Sequence, residues 1–205
     1  MIIFLRHGQA ENNTKKILAG RTPGINLTEQ GKEQAEQAGK MIKSLNISAI
    51  YASPIDRAIQ TAEIVGKHCD VKPILDDRLI ELDMGKFTMM PYDEIFASHG
   101  NVFLKFYEGS LEISHNGVES FAEVQKRIFD IVDFVKNKHK GENVVLVTHM
   151  DPIKAIIGKV LSLKPEILFQ LIVANASLNI FKHDDQNFYL SSINSMDASR
   201  FHETF

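Results

Sequence analysis

The chain has little cysteine. Cys69 is the single one in 205 residues. One thiol excludes a disulfide framework and a cysteine-rich zinc site, and it fits a reducing, cytoplasmic setting. Net charge is also scarce: 23 Lys and Arg against 26 Asp and Glu leave −3. That balance gives no support to nucleic-acid binding, which needs a basic excess. No stretch approaches the ~20 apolar residues needed to span a bilayer, so no membrane partner is expected. The apolar start, Met1 to Leu5, has no basic region before it and runs directly into Arg6 and His7. It reads as a buried strand rather than a signal peptide. Neither Gly-x-Gly-x-x-Gly nor Gly-x-x-x-x-Gly-Lys-Ser/Thr occurs, so the usual nucleotide-cofactor loops are missing. With no linker, charge block or repeat, residues 1–205 are expected to form one domain.

What is present is an ordinary globular composition, 44% hydrophobic and 24% charged, with elements that alternate. Residues 1–5, 47–52 and 144–147 read as short buried strands. Residues 28–45 read as a helix capped by Thr28, with Ala35, Ala38, Ile42 and Leu45 on one face. Ser53-Pro54 reads as an N-cap followed by proline at the first helical position. Ile55, Ile59, Ala62 and Val65 continue that helix. Ser120-x-x-Glu123 is a capping box opening a further helix, and residues 152–161 and 165–172 read as two more. Residues 178–181 and 188–193 bracket a polar turn and suggest a hairpin. The expected fold class is α/β, a three-layer αβα sandwich around a mostly parallel sheet. Ligands in such folds sit beyond the carboxyl ends of the strands.

Three of those ends carry polar groups that a core would reject. The first strand ends in Arg6-His7-Gly8, the second runs into Ser53-Pro54-Ile55-Asp56-Arg57, and the third ends in Thr148-His149. If the strands are neighbours, two arginines and two histidines converge, and the cluster wants an anion. Guanidinium forks match phosphate oxygens. Gly8 would let backbone N–H groups approach the ligand closely. The positive end of the helix carrying Arg57 would add to the attraction. His68, His99, His115, His139, His183 and His202 lie in polar or helical-surface contexts and are expected to be solvated. Met84, Met89 and Met90 read as gap-filling or lid packing.

Taken in order, four segments resemble one known family. They are Arg6-His7-Gly8 with Asn13; Ser53-Pro54-x-x-Arg57-Ala58-x-Gln60-Thr61-Ala62; Leu79-x-Glu81-x-x-x-Gly85; and Val147-Thr148-His149. Together they are similar to the histidine phosphatase superfamily, which includes the cofactor-dependent phosphoglycerate mutases. The resemblance implies a phosphoglycerate mutase-like fold and a set of roles. His7 would be the nucleophile, with Arg6, Arg57 and His149 stabilising the transferred group. Asn13 would be a further donor, and Glu81 the acid and base. Arg6, His7, Gly8, Asn13, Arg21, Arg57 and His149 would bind phosphate or substrate. No metal and no cofactor is implied, because the arginines neutralise the charge.

Within that family the sequence favours a phosphatase acting on a small phosphorylated metabolite. Phosphoglycerate mutases resemble Glu-Arg-His-Tyr at the acid/base position, whereas this chain has Glu81-Leu82-Asp83-Met84. The basic pair that would hold a bisphosphoglycerate is replaced. Phosphoglycerate mutase chemistry and a non-catalytic phospho-ligand module are the alternatives, although every chemical position is filled. Residues 86–119 are expected to form a lid, with Phe96, Val102, Phe103, Phe106 and Tyr107 either lining a pocket or packing a small cap. Natural substrate and oligomeric state are not legible.

Overall fold

The structure is a computed structural model, and it describes residues 1–184 and 187–196. A six-stranded mixed sheet runs in the order β3-β2-β4-β1-β5-β6. Strands β1 (Ile2–Arg6), β2 (Ile47–Ala52), β3 (Pro73–Leu75) and β4 (Asn143–Thr148) are mutually parallel. The hairpin β5 (Leu178–His183) and β6 (Phe188–Ser195) adds antiparallel to β1. β3 gave little signal in the sequence. It has three residues, starts with proline at the sheet edge, and leaves Ile74 and Leu75 half exposed.

Successive side chains of a strand point to opposite faces, and here both faces are covered. Ile3, Leu5, Ile50, Ala52, Val145 and Val147 pack on one side against α2 (Glu29–Ile42) and α3 (Asp56–Cys69). Ile2, Phe4, Tyr51, Val144 and Leu146 pack on the other, against α7 (Phe121–Lys138) and α8 (Met150–Val160). That two-sided burial is why the strands read as unbroken apolar runs. The same second core takes in α4 (Tyr92–His99), α5 (Val102–Tyr107) and α6 (Leu111–Ser114), which lie within residues 86–119. Val102, Phe103, Phe106 and Tyr107 are buried there, while Phe96 is 41% exposed. The remaining helices are α1 (Glu11–Thr14) and α9 (Pro165–Gln170).

Thr28 caps α2 by accepting from Gly31 N, and Ser120 and Glu123 form the capping box of α7. Two sequence readings need correction. Ser53 does not cap α3, which starts at Asp56 with Ile55 as N-cap. The Ser53 hydroxyl is instead taken by His149. His68 and His139 are not solvated rings. The imidazole of His68 meets Glu36 at 2.6 Å across the α2–α3 interface, and Gly39 makes room for it. His139 bonds both Tyr51 Oη and Glu142. His202 lies outside the described residues.

Candidate active site

Register places the site. Arg6 on β1 pairs with Thr148 on β4, and Val147 pairs with Ala52 on β2. The next residue of each strand therefore emerges at one place: His7, Ser53 and His149. His7 N donates to Thr148 O and Ser53 N donates to Val147 O, which locks the three ends together. The His7 and His149 rings are 5.1 Å apart, and both are buried.

His7 is held by both ring nitrogens. Its Nδ1 lies 2.7 Å from its neighbour's carbonyl, Gly8 O, so Nδ1 carries the proton. Nε2 then presents a lone pair, which accepts from Arg57 Nε at 3.2 Å. Burial, with the cations Arg57 and Arg6 close by, pushes the His7 pKa well below the ordinary histidine value. The ring is neutral across the physiological range.

Arg57 is 2% exposed. Its Nη2 donates to Gly20 O, while its Nη1 has no partner among the described residues. The same holds for Arg6 Nε and His149 Nδ1. A buried donor without an acceptor costs about 1–3 kcal/mol. Three of them beside one pocket mark the place of a multivalent acceptor. His149 Nε2 is 2.7 Å from Ser53 Oγ, which itself accepts from Ile55 N. The serine proton is therefore free to go to Nε2, leaving Nδ1–H as the donor. Burial and the neighbouring Arg57 hold the His149 pKa well down, so the ring donates as a neutral group.

Opposite these donors stands Glu81, with Oε2 4.0 Å from His149 Nδ1. Burial and the nearby Asp151 carboxylate raise its pKa to about 7, against the opposing pull of Arg57 and Arg6. Its loop is tightly held. Arg21 Nε donates to Glu81 O, Arg127 Nη1 donates to Ile80 O and Arg78 O, and both arginines pair with Glu119. Tyr92 and Asp151 complete the wall. Burial and the two carboxylates push Tyr92 up to about 12, so it is a neutral phenol. The pocket encloses about 40 Å³. One water needs ~10–15 Å³ by this measure, so the space suits a group of phosphoryl size.

Arg6, His7, Asn13, Arg57 and Glu81 line this pocket, and His149 stands beside its wall. Asn13 Oδ1 accepts from Ala10 N and Asn175 Nδ2, so its amino group is the end available to a ligand. Two of the expected binding residues sit differently. Gly8 N–H is occupied by Thr61 Oγ1. Its missing Cβ clears the chain rather than a ligand: a methyl there would stand 2.3 Å from Gly31 O. Arg21 is turned to Glu81 O, Glu119 and Asp83 and braces the acid's loop from outside the pocket lining. Sequence reasoning missed Ser53, Asn175, Tyr92 and Asp151 as site residues. Asp151, two positions after His149, was the one with a local signal: a carboxylate opening a mostly apolar helix beside a polar strand end.

A family profile, histidine phosphatase superfamily (branch 1), matches residues 2–196, and the chain belongs to that superfamily. A 2,3-bisphosphoglycerate-dependent phosphoglycerate mutase of Thermoplasma acidophilum is 34% identical over 180 residues, 87% of this chain and 84% of that protein. Phosphoserine phosphatase 1 of Hydrogenobacter thermophilus is 26% identical over 196 residues, 94% and 91% of the two chains. Among solved structures, a mutant phosphoserine phosphatase of Entamoeba histolytica in complex with phosphoserine superposes with a TM-score of 0.83. It is 25% identical, covering 97% of this chain and 98% of that one. Among the described residues, no helix is long and apolar enough to cross a membrane.

Proposed function

We propose that this chain hydrolyses phosphomonoesters of small metabolites through a phosphohistidine at His7. The observation that carries the reading is His7 Nε2, unprotonated and held by Arg57 Nε, at a pocket lined by Arg6 and Arg57, whose Nε and Nη1 lack partners among the described residues, with the equally partnerless His149 Nδ1 beside its wall. Nε2 attacks phosphorus in line, forming the N–P bond as the ester P–O bond breaks. Arg6, Arg57, His149 and Asn13 hold the equatorial oxygens, where charge is spread in the transition state. Glu81, protonated below about pH 7, gives its proton to the departing alkoxide. The resulting carboxylate then takes a proton from water as the water oxygen bonds to phosphorus and the N–P bond breaks. Phosphate leaves, and both His7 and Glu81 return to their starting protonation. Two guanidinium groups supply the neutralisation, so the scheme needs no metal or cofactor. In this reading residues 86–119 are a cap on a single domain, contributing Tyr92 and Phe103 to the wall.

The mutase reading is favoured by the names of several relatives, the 34% identical one among them. Against it, the residues after Glu81 are Leu82, Asp83 and Met84, and the carboxylates Glu81 and Asp151 face the same pocket. A bisphosphorylated ligand finds no second cationic cradle in that lining. The deciding experiment is hydrolysis of p-nitrophenyl phosphate in EDTA beside a His7→Ala control, with interconversion of 3- and 2-phosphoglycerate assayed in parallel. EDTA-resistant hydrolysis lost in the control supports the phosphatase. Interconversion outpacing hydrolysis supports the mutase. Phosphate binding without turnover of a broad ester panel leaves only a binding module.

A further inference from the structure

A second cavity, of about 200 Å³, opens beside the phosphoryl pocket, and the two share Tyr92, Phe103 and Met150 as a common wall. We propose that this cavity receives the leaving group, and that the preferred substrate is the monophosphate of an apolar aliphatic or aromatic alcohol, with phosphate as its sole anionic group. The inference rests on the hydrolase reading and names its substrate class.

Three observations carry it. The first is continuity. Because Tyr92, Phe103 and Met150 line both spaces, the alcohol of an ester seated with phosphorus at His7 meets the apolar cavity once it extends toward them. The second is the lining. Beyond the shared residues the cavity is bounded by Phe96, Phe169, Leu171 and Ile172. Ile172 is 72% and Phe96 41% exposed, so apolar surface is left facing water at the mouth. Covering it with an apolar group is favourable by about 25 cal/mol per Å².

The third is charge. The cavity's one cation, Lys154, is 3% exposed and already engaged: its Nζ donates to Tyr107 Oη at 3.1 Å and lies over the Tyr107 ring. Tyr107 Oη donates in turn to Asp151 Oδ1 at 2.5 Å. A carboxylate on the leaving group would find that cation already balanced by the Asp151 charge, relayed through Tyr107. It would also pass the Asp151 carboxylate, which lies in the phosphoryl pocket. Phosphoserine- and phosphoglycerate-like esters are disfavoured on both counts, and an uncharged alcohol on neither.

The test is a series of n-alkyl monophosphates from ethyl to hexyl, whose alcohols differ little in leaving ability, so that kcat/KM reports the fit of the chain. It is expected to rise about fourfold per methylene, with hexyl phosphate exceeding both phosphoserine and 3-phosphoglycerate. In Ile172→Glu, at an exposed position outside the catalytic groups, the slope should flatten while ethyl phosphate turnover is unchanged. A flat or falling series, or faster turnover of the two carboxylate esters, overturns the substrate class and leaves the hydrolase standing. An Ile172→Glu slope equal to that of the unmodified protein overturns the assignment of this cavity. No turnover of any ester overturns the hydrolase reading itself, and this inference with it.

Discussion

The two adjoining cavities are built in opposite ways. The phosphoryl pocket rests on the ends of three parallel strands whose backbones are hydrogen-bonded to one another, so His7, Ser53 and His149 are held by the sheet. Three nitrogens at it, Arg6 Nε, Arg57 Nη1 and His149 Nδ1, lack partners among the described residues. The neighbouring cavity draws on α4, α5, α8 and α9, helices of eight, six, eleven and six residues, and presents mostly apolar side chains, some of them open to water. The lesson is a division of labour. Transition-state charge must be met by groups fixed within a fraction of an ångström, which a sheet provides. Apolar recognition is non-directional and tolerates short, varied elements.

Substitutions at the strand ends should damage chemistry whatever the ester, and those in the cap should act by substrate or stability. The largest effect is expected from His7→Ala, with turnover falling by about 10⁴-fold or more, as for other covalent nucleophiles. Alkaline-quench trapping, which preserves the acid-labile N–P bond, should then show no phosphorylated protein, while vanadate binding persists. Trapped phosphoprotein in that variant would remove His7 from its role. Glu81→Gln should lower kcat by about 10²–10⁴-fold for alkyl esters, which need a proton on the leaving oxygen. p-Nitrophenyl phosphate, which does not, should suffer less in the first step.

The pH dependence follows from the raised Glu81 value. Single-turnover phosphorylation with an alkyl ester should fall as pH rises through about 7, where the acid form is lost. Stability moves with the same sign. The folded pKa lies above the ordinary 4.5, so folding favours the protonated carboxyl. That contribution is complete below about 4.5 and disappears as pH passes 7. Glu81→Gln should therefore raise Tm, relative to the unmodified protein, more at pH 8 than at pH 5. An equal difference at both values would contradict the burial account.

The smaller predictions concern framework. Gly8→Ala would place a methyl 2.3 Å from Gly31 O and drive α2 from the sheet, costing about 1–3 kcal/mol in denaturant unfolding. If Gly8 served mainly to admit a ligand, its Ala variant would unfold normally and bind phosphate poorly. Tyr107→Phe strips Asp151 and Lys154 of their shared partner, and about 1–3 kcal/mol of stability should go with it. Ethyl phosphate turnover should change far less than in the strand-end variants. A strand-end-sized loss would abolish the distinction between the two cavities.

Much of this was legible beforehand, for identifiable reasons. Residues 2–5 and 144–147 announced buried strands because both faces of the central sheet are covered. Thr28 and Ser120 announced helix starts because capping is a local interaction. Arg6, His7, Arg57 and His149 stood out because polar groups at the ends of apolar strands have no role in a core. Ser53 misled for the same local reason. It resembled a cap, and only the neighbouring strand, bringing His149 within 2.7 Å, gave its hydroxyl another partner. Arg21 and Gly8 misled likewise, since a guanidinium and a glycine say nothing of which neighbour they face.

The chain's own pattern of apolar runs, caps and polar strand ends determined the layered α/β architecture and the identity of the anion-seeking groups. These depend on contacts within a few residues or on burial, which hydrophobicity reports directly. Only the tertiary structure decided which His7 nitrogen carries the proton, that Arg21 braces a loop, that Asp151 and Glu81 share a pocket, and that an apolar cavity adjoins it. Each depends on a distance between residues tens of positions apart. Register and packing set such distances, and no local signal encodes them.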